Sequence, residues 1–117
     1  MTDLSARLAG LTSLAEAETL YPPRALPSGA EVTRLAPSPT GMPHIGTAMQ
    51  AVIDRALADK NNGLFILRIE DTDKARSVPG AEEAIVDSLR WLGTVPDEGP
   101  CGFGGAYGPY TQSARLP

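Results

Sequence analysis

Several of the residues that most often announce a function are scarce in this chain. There is one cysteine, Cys101, which excludes an internal disulfide and any paired-cysteine metal site. There is one histidine, His44, so Cys101 has no second imidazole to activate it as a nucleophile. Basic charge is not in surplus: a net charge of -4 and a pI near 4.8 argue against nucleic-acid binding through bulk charge, although a local patch is still open to it. No apolar run is long enough to span a bilayer, and the opening Thr2-Asp3-Leu4 lacks the basic start of a signal peptide. A soluble cytoplasmic protein is expected. The 12 glycines and 11 prolines gather in loops without a period, which excludes collagen and low-complexity readings.

What is present fits one small domain or part of a larger one: 117 residues, 42% of them apolar and 21% charged. The chain is organised around Thr33-Arg-Leu-Ala-Pro-Ser-Pro-Thr-Gly-Met-Pro-His-Ile-Gly-Thr47. A short apolar strand breaks at Pro37 and Pro39, turns at Gly41, and delivers His44 to the start of an amphipathic stretch. Strand, Gly/Pro loop, helix is the layout of a nucleotide site, because the amides of a helix N-terminus are unpaired and attract phosphate.

In chain order, Leu4, Leu8, Leu11 and Leu14 fall at helical spacing within residues 2–20, with Asp3 as a cap and Thr12-Ser13 weakening the middle. Tyr21 to Gly29 is a proline-rich linker, and residues 1–31 form an extension laid over the domain without chemistry of its own. Val32 to Ala36 is the first strand. From His44 to Lys60 the apolar residues Ile45, Ala48, Met49, Val52, Ile53, Ala56 and Leu57 form a helical stripe, ended by Asn61-Asn62-Gly63. Leu64 to Ile69 is nearly continuous in apolar residues, as in a buried parallel strand. Strand, helix and strand make a right-handed βαβ unit. A second helix runs from Ala81 to Leu92, burying Ile85, Leu89 and Leu92, with Trp91 in the core. The chain from Asp97 onward reads as loop without an element to close the sheet.

The residues with chemical potential keep more than one reading at this level. His44 is either a hydrogen-bond donor to phosphate, with Gly46 admitting a nucleotide, or a helix cap. Arg34 is a bidentate carboxylate clamp, a solvated arginine, or the partner of a structural acid. The acids of Glu70-Asp71-Thr72-Asp73 lie where a buried strand ends, the edge at which open α/β sheets bind ligands. They suit an ammonium group better than a metal, since their spacing matches no dedicated metal loop. Tyr107 and Tyr110 either stack on a base or pack their loop down.

Taken together, these segments resemble the N-terminal part of the class I glutamyl-tRNA synthetases. The resemblance is carried by Thr33 to Gly41, Pro43-His-Ile-Gly-Thr-Ala48, Gly63 to Arg76 with its Arg-Ile-Glu-Asp-Thr-Asp core, Val78 to Glu83, Trp91-Leu-Gly93, Asp97 to Pro100 and Tyr107-Gly-Pro-Tyr-Thr-Gln-Ser-Ala-Arg115. It implies an α/β fold, an incomplete Rossmann-like nucleotide-binding domain made of a parallel βαβ unit, a second helix and a loop. Residues 32–117 would be the first half of the catalytic domain, and residues 1–31 an added extension. It also implies activation of L-glutamate by ATP with Mg²⁺, and transfer to tRNA(Glu) by a complete, monomeric enzyme without zinc. His44 and Gly46 match the catalytic His-Ile-Gly-His-type element, with Thr47 in its fourth position. Pro39, Thr40, Gly41, His44, Gly46 and Thr47 match ATP-binding positions, and Arg34, Ala36, Ser38 and Glu70 line the amino-acid pocket.

The family's second ATP element, a Lys-Met-Ser-Lys-Ser-type loop, is absent, and no lysine follows Lys74. The expectation is a truncated synthetase, inactive by itself. The competing readings are a non-catalytic ATP- or glutamate-binding module and a fragment of the enzyme that glutamylates queuosine on tRNA. Thr72 and the Gly108 to Gln112 run favour the aminoacylating enzyme, and Ile69-Glu70 disfavours the glutaminyl one.

Overall fold

The structure, a computed structural model, describes residues 12–115. The first described element is α1, Leu14–Leu20, and it begins where the sequence suggested a weak middle. Ser13 forms a capping box: its hydroxyl accepts from the Glu16 amide, and the Glu16 carboxylate accepts from the Ser13 amide at 2.8 Å. Ser13 therefore starts a helix instead of interrupting one. No residue of α1 is buried, and the leucines at 4, 8 and 11 lie outside the described residues.

The βαβ unit follows as β1 (Val32–Leu35), α2 (Ile45–Lys60) and β2 (Leu64–Leu67). The strands pair in parallel with Val32 opposite Leu64 and Leu35 opposite Leu67. Both are shorter than the sequence suggests, because Ala36 runs into Pro37 and because Ile69 pairs elsewhere. α2 ends as expected, with Asn62 in the left-handed region at φ 53° and the Gly63 amide donating to the Ala58 carbonyl at 2.8 Å. Gly63 is fixed by space: a Cβ there would lie 1.8 Å from the Glu31 carbonyl oxygen, the atom that accepts from the Leu64 amide to start the pairing.

The chain after α3 (Ala81–Trp91) does more than the sequence suggests. The Phe65 carbonyl accepts from Asp97 N–H at 2.8 Å, and the Leu67 amide donates to the Glu98 carbonyl at 2.9 Å. Further on, Ile69 N–H donates to the Tyr110 carbonyl and its own carbonyl accepts from Gln112 N–H. Two irregular segments thus cover the edge of β2 away from β1. Their Gly/Pro content hides them from any alternation pattern. A short 3₁₀ helix, Gln112–Arg115, closes the described chain.

The core is Leu35, Phe65, Leu67 and Ile69 from the sheet side, Ala51 and Ala58 from α2, and Ile85, Val86 and Leu89 from α3. Two expectations are corrected here. Trp91 is 83% exposed and not a core residue, since α3 turns the 85/86/89 face inward. On α2 the buried stripe is the small Ala51/Ala58 pair, which lets the helix approach the sheet closely. The larger apolar residues Ile45, Met49, Val52, Ile53 and Leu57 are exposed. Periodicity located the helix and picked the wrong face.

Because backbone atoms block the space beside Gly63, Gly63→Ala should cost about 1–3 kcal/mol of stability, read as a lower urea midpoint with an unchanged m-value.

Candidate active site

In a parallel pair both strands end at the same edge of the sheet, so the segments leaving β1 and β2 lie side by side. The Glu70 amide donates to the Pro37 carbonyl at 3.0 Å and the Val78 amide to that of Pro39 at 2.9 Å, which locks the two loops together. Arg34 is thereby placed against Glu70, with its Nη1 2.7 Å from Glu70 Oε1. The side chains are 48% and 34% exposed. A pair this wet contributes about 0–1 kcal/mol, so it holds little of the fold and exchanges readily for a ligand. The sequence allowed Arg34 a carboxylate ligand or an acidic partner; the structure joins it to the residue matched to the amino group.

Beyond β1, a cavity of about 330 Å³ opens over the N-terminus of α2, a size suited to a small ligand. Ala36, Ser38, Thr40, Gly41, His44, Gly46 and Thr47 all line it, whereas Pro39 is buried and faces a separate groove with Asp71 and Lys74. Among the described residues no lysine or arginine lines the cavity. Its positive end is the helix dipole and the first-turn amides.

His44 is the N-cap of α2, and its Nδ1 accepts from Gly46 N–H at 3.0 Å. An Nδ1 that accepts carries no proton, so in the neutral ring Nε2 bears it. Capping and donation are then compatible: the cap fixes the tautomer whose free nitrogen donates. Gly46 acquires a reason the sequence did not supply. A Cβ at this position would sit 2.8 Å from His44 Cε1 and 2.9 Å from Nδ1, so only glycine lets the imidazole fold over its own helix.

The acidic segment divides its labour. Asp71 accepts from both the amide of Ser113, at 2.8 Å, and its hydroxyl, and these bonds hold its carboxyl below the usual carboxylate range. Asp73 is engaged by Arg76 at 2.6 Å, which lowers its carboxyl as well. Glu70 alone meets Arg34. Among the described residues no group of three or more His, Cys, Asp or Glu side chains is placed to hold a metal. Cys101 is exposed, and partial desolvation, then the charges of Glu82 and Glu83, push its thiol up, the wrong direction for a nucleophile.

Sequence reasoning missed what holds this platform still. Arg24, in the proline-rich linker, grips both carboxylate oxygens of Glu98 and stacks 4.0 Å above the Tyr107 ring. The Tyr110 hydroxyl donates to Glu98 at 2.6 Å, and that of Tyr107 to the Pro22 carbonyl at 2.6 Å. Both tyrosines therefore pack their loop. Arg24 lowers Glu98's carboxyl below its usual 4.5, against the opposing effect of burial. The linker is a strap over the segment that flanks Ile69 and Asp71, and so over the backbone carrying Glu70. A lone arginine among prolines gave no local signal of this.

Comparison with known proteins decides the family. The model of the catalytic domain of class I tRNA synthetases (E and Q) matches residues 31–117. The chain belongs to that family. It is 64% identical over 100 residues to the glutamate–tRNA ligase of Gloeobacter violaceus, which covers 86% of this chain and 19% of that one. It is 63% identical over 86 residues to that of Thermus thermophilus, covering 74% and 18%. Among solved structures it matches a glutamate tRNA ligase from Elizabethkingia meningosepticum in complex with its amino acid, with a TM-score of 0.69 and 55% identity over 72% of this chain and 16% of that one. The glutamate-tRNA synthetase of Elizabethkingia anophelis gives a TM-score of 0.71 at 53% identity, covering 74% and 17%. The chain spans less than a fifth of the length of these relatives. The class I synthetase fold read from the sequence agrees with these matches.

Two outcomes follow from the synthetase platform. Glu98's native carboxyl lies below its unfolded value, so the strap's contribution is full above pH 4.5 and fades as pH falls through the lower native value. Unfolding curves of the wild type and of Glu98→Gln should differ by about 2 kcal/mol at neutral pH and converge on acidification. Gly46→Ala should displace the His44 ring and remove its cap, costing about 1 kcal/mol, with fraying of the first turn of α2 visible in amide exchange.

Proposed function

We propose that this chain carries the amino-acid and ATP half-sites of a glutamate–tRNA ligase. The observation that carries the reading is the wet Arg34–Glu70 pair beside a cavity walled by His44, Gly46 and Ser38. Free glutamate bears a side-chain carboxylate and an α-ammonium, the complement of that pair. Its carboxylate takes Arg34 and its ammonium takes Glu70, each replacing the other residue's charge. ATP lies over the α2 N-terminus, where the helix dipole and the Nε2–H of His44 meet phosphate oxygens. An oxygen of the glutamate α-carboxylate attacks the α-phosphorus, the bond to the bridging oxygen breaks, and pyrophosphate leaves with the electron pair. The products are glutamyl-adenylate and pyrophosphate. A ribose hydroxyl of the terminal adenosine of tRNA(Glu) then attacks the glutamyl carbonyl carbon, the mixed-anhydride bond breaks, and AMP leaves. Magnesium arrives with the ATP phosphates as part of the substrate.

Among the described residues the cavity holds no lysine or arginine for the pyrophosphate. On this reading the 117-residue chain alone binds without turning over, and a cation brought by further polypeptide supports catalysis. The same observation supports the second reading, a module that binds ATP or glutamate without chemistry.

Amide chemical shifts test the pocket directly. Glutamate should move the resonances of Arg34 and Glu70, glutamine should not, and Arg34→Ala should abolish the response. Equal responses to the two amino acids would reject the carboxylate role. In a complete ligase built on this chain, Arg34→Ala should raise KM for glutamate by on the order of tenfold or more, with KM for ATP little changed. Glutamate-dependent ATP–pyrophosphate exchange by the 117-residue chain alone would refute the half-site reading.

A further inference from the structure

Glu70 lies beyond the end of β2, outside the regular pairing of the sheet. Its amide donates to the Pro37 carbonyl at 3.0 Å, and its carboxylate meets Arg34 in a wet pair that exchanges readily. The backbone on either side of it is held by one segment of the chain after α3. On one side the Ile69 amide donates to the Tyr110 carbonyl at 2.9 Å, and the Ile69 carbonyl accepts from the Gln112 amide at 2.8 Å. On the other, Asp71 accepts from the Ser113 amide at 2.8 Å. Glu70 is therefore carried between two clamps, and it stands where residues 110–113 stand.

Glu98 ties that segment to the sheet. Its backbone carbonyl accepts from the Leu67 amide at 2.9 Å, and its carboxylate accepts from the Tyr110 hydroxyl at 2.6 Å. The Glu98 side chain is only 12% exposed, and a carboxylate so far out of water needs a cation. Arg24 supplies it. The guanidinium, 19% exposed, grips both oxygens and lies 4.0 Å over the Tyr107 ring. The two ion pairs on this side of the molecule thus differ in kind: Arg24–Glu98 is dry and bidentate, Arg34–Glu70 wet and single. The match to the catalytic-domain family model begins at residue 31, so Glu98 and Tyr110 lie inside it and Arg24 outside.

We propose that Arg24 is a positioning residue of the amino-acid site: through Glu98 and Tyr110 it sets the place of the Glu70 carboxylate, and so the affinity for the ammonium group of the ligand. The inference rests on the half-site reading above and adds to it a residue from the proline-rich linker. A polar contact made by a loop residue is only as well placed as the groups that support it. Arg34 does not depend on the strap, because it stands on β1 in register with Ile66. Arg24 therefore acts on one end of a two-ended ligand, the ammonium, and leaves the side-chain carboxylate to Arg34.

Glutarate separates the two ends, since it has both carboxylates of glutamate and no ammonium. Calorimetric titration of the 117-residue chain with each ligand gives the comparison. Arg24→Ala should weaken glutamate by on the order of tenfold, the size of loss that follows removal of a residue supporting a bound ion, and leave glutarate unchanged. Arg24→Lys keeps the charge but cannot grip both oxygens, so it should fall between; if Arg24→Ala does not fold, the comparison is made on Arg24→Lys. Amide exchange adds a readout that needs no ligand. In the variant the Ile69 and Gln112 amides should exchange on the order of tenfold faster, while the Gly63 amide, bonded to the Ala58 carbonyl at the other end of β2, keeps its wild-type rate. Equal losses for glutamate and glutarate, or acceleration at Gly63 as large as at Ile69, make Arg24 a residue of general stability and overturn the proposal. So does a variant that matches the wild type in exchange at Ile69. A wild-type chain that binds no glutamate removes the half-site reading, and exchange then decides alone: selective acceleration keeps Arg24 as the tether of Glu70, and uniform or absent acceleration overturns it.

Discussion

When two neighbouring strands run in the same direction, whatever leaves their ends leaves together. In this chain that constraint is the register of Val32 against Leu64 and Leu35 against Leu67. It places the Pro37 carbonyl over the Glu70 amide and, through it, Arg34 against Glu70, residues 36 positions apart. A shift of one residue would turn Leu35, Phe65 and Leu67 out of the core and point Arg34 into it. The hydrophobic core and the charged pair are therefore two results of one alignment. The tight turn at Gly63, pressed against the Glu31 carbonyl, sets where that alignment begins.

The parts of the fold legible in the sequence are those written in local order. The apolar run Leu64 to Ile69 read as a buried strand, of which Leu64 to Leu67 forms, and the Asn-Asn-Gly stop after Lys60 ended the helix where the backbone does. The candidate site was half legible for the same reason. Ser38, His44 and Gly46 sit in one contiguous stretch that runs from the loop into the first turn of α2, and the cavity assembles around it. What stayed hidden depends on distant partners. Arg24 finds Glu98 and Tyr107 far along the chain, and Asp71 finds Ser113 across a glycine-rich segment with no period to read.

The α2 face is a different kind of miss. Pattern reading assumes that the largest apolar residues face inward, because burial of area drives folding. Here alanines face the sheet, since close approach of helix and strand leaves no room for more, and the large residues lie opposite. The two stripes are each sound signals, and a single stretch of sequence cannot say which one meets the sheet first. Trp91 shows the same effect at the end of α3.

The strap has a consequence for the order in which the molecule can assemble. Arg24 is made early, but its carboxylate partner comes 74 residues later. A chain emerging from the ribosome has made β1, α2 and β2, whose pairing with one another is local, before Glu98 exists. The proline-rich linker therefore spends that interval untethered, and its proline content suits the wait, since it keeps the linker extended without internal hydrogen bonds. Docking of Arg24 marks the moment when the segment beside β2 has been made and laid down. The linker is in this sense a late fastener on an early framework.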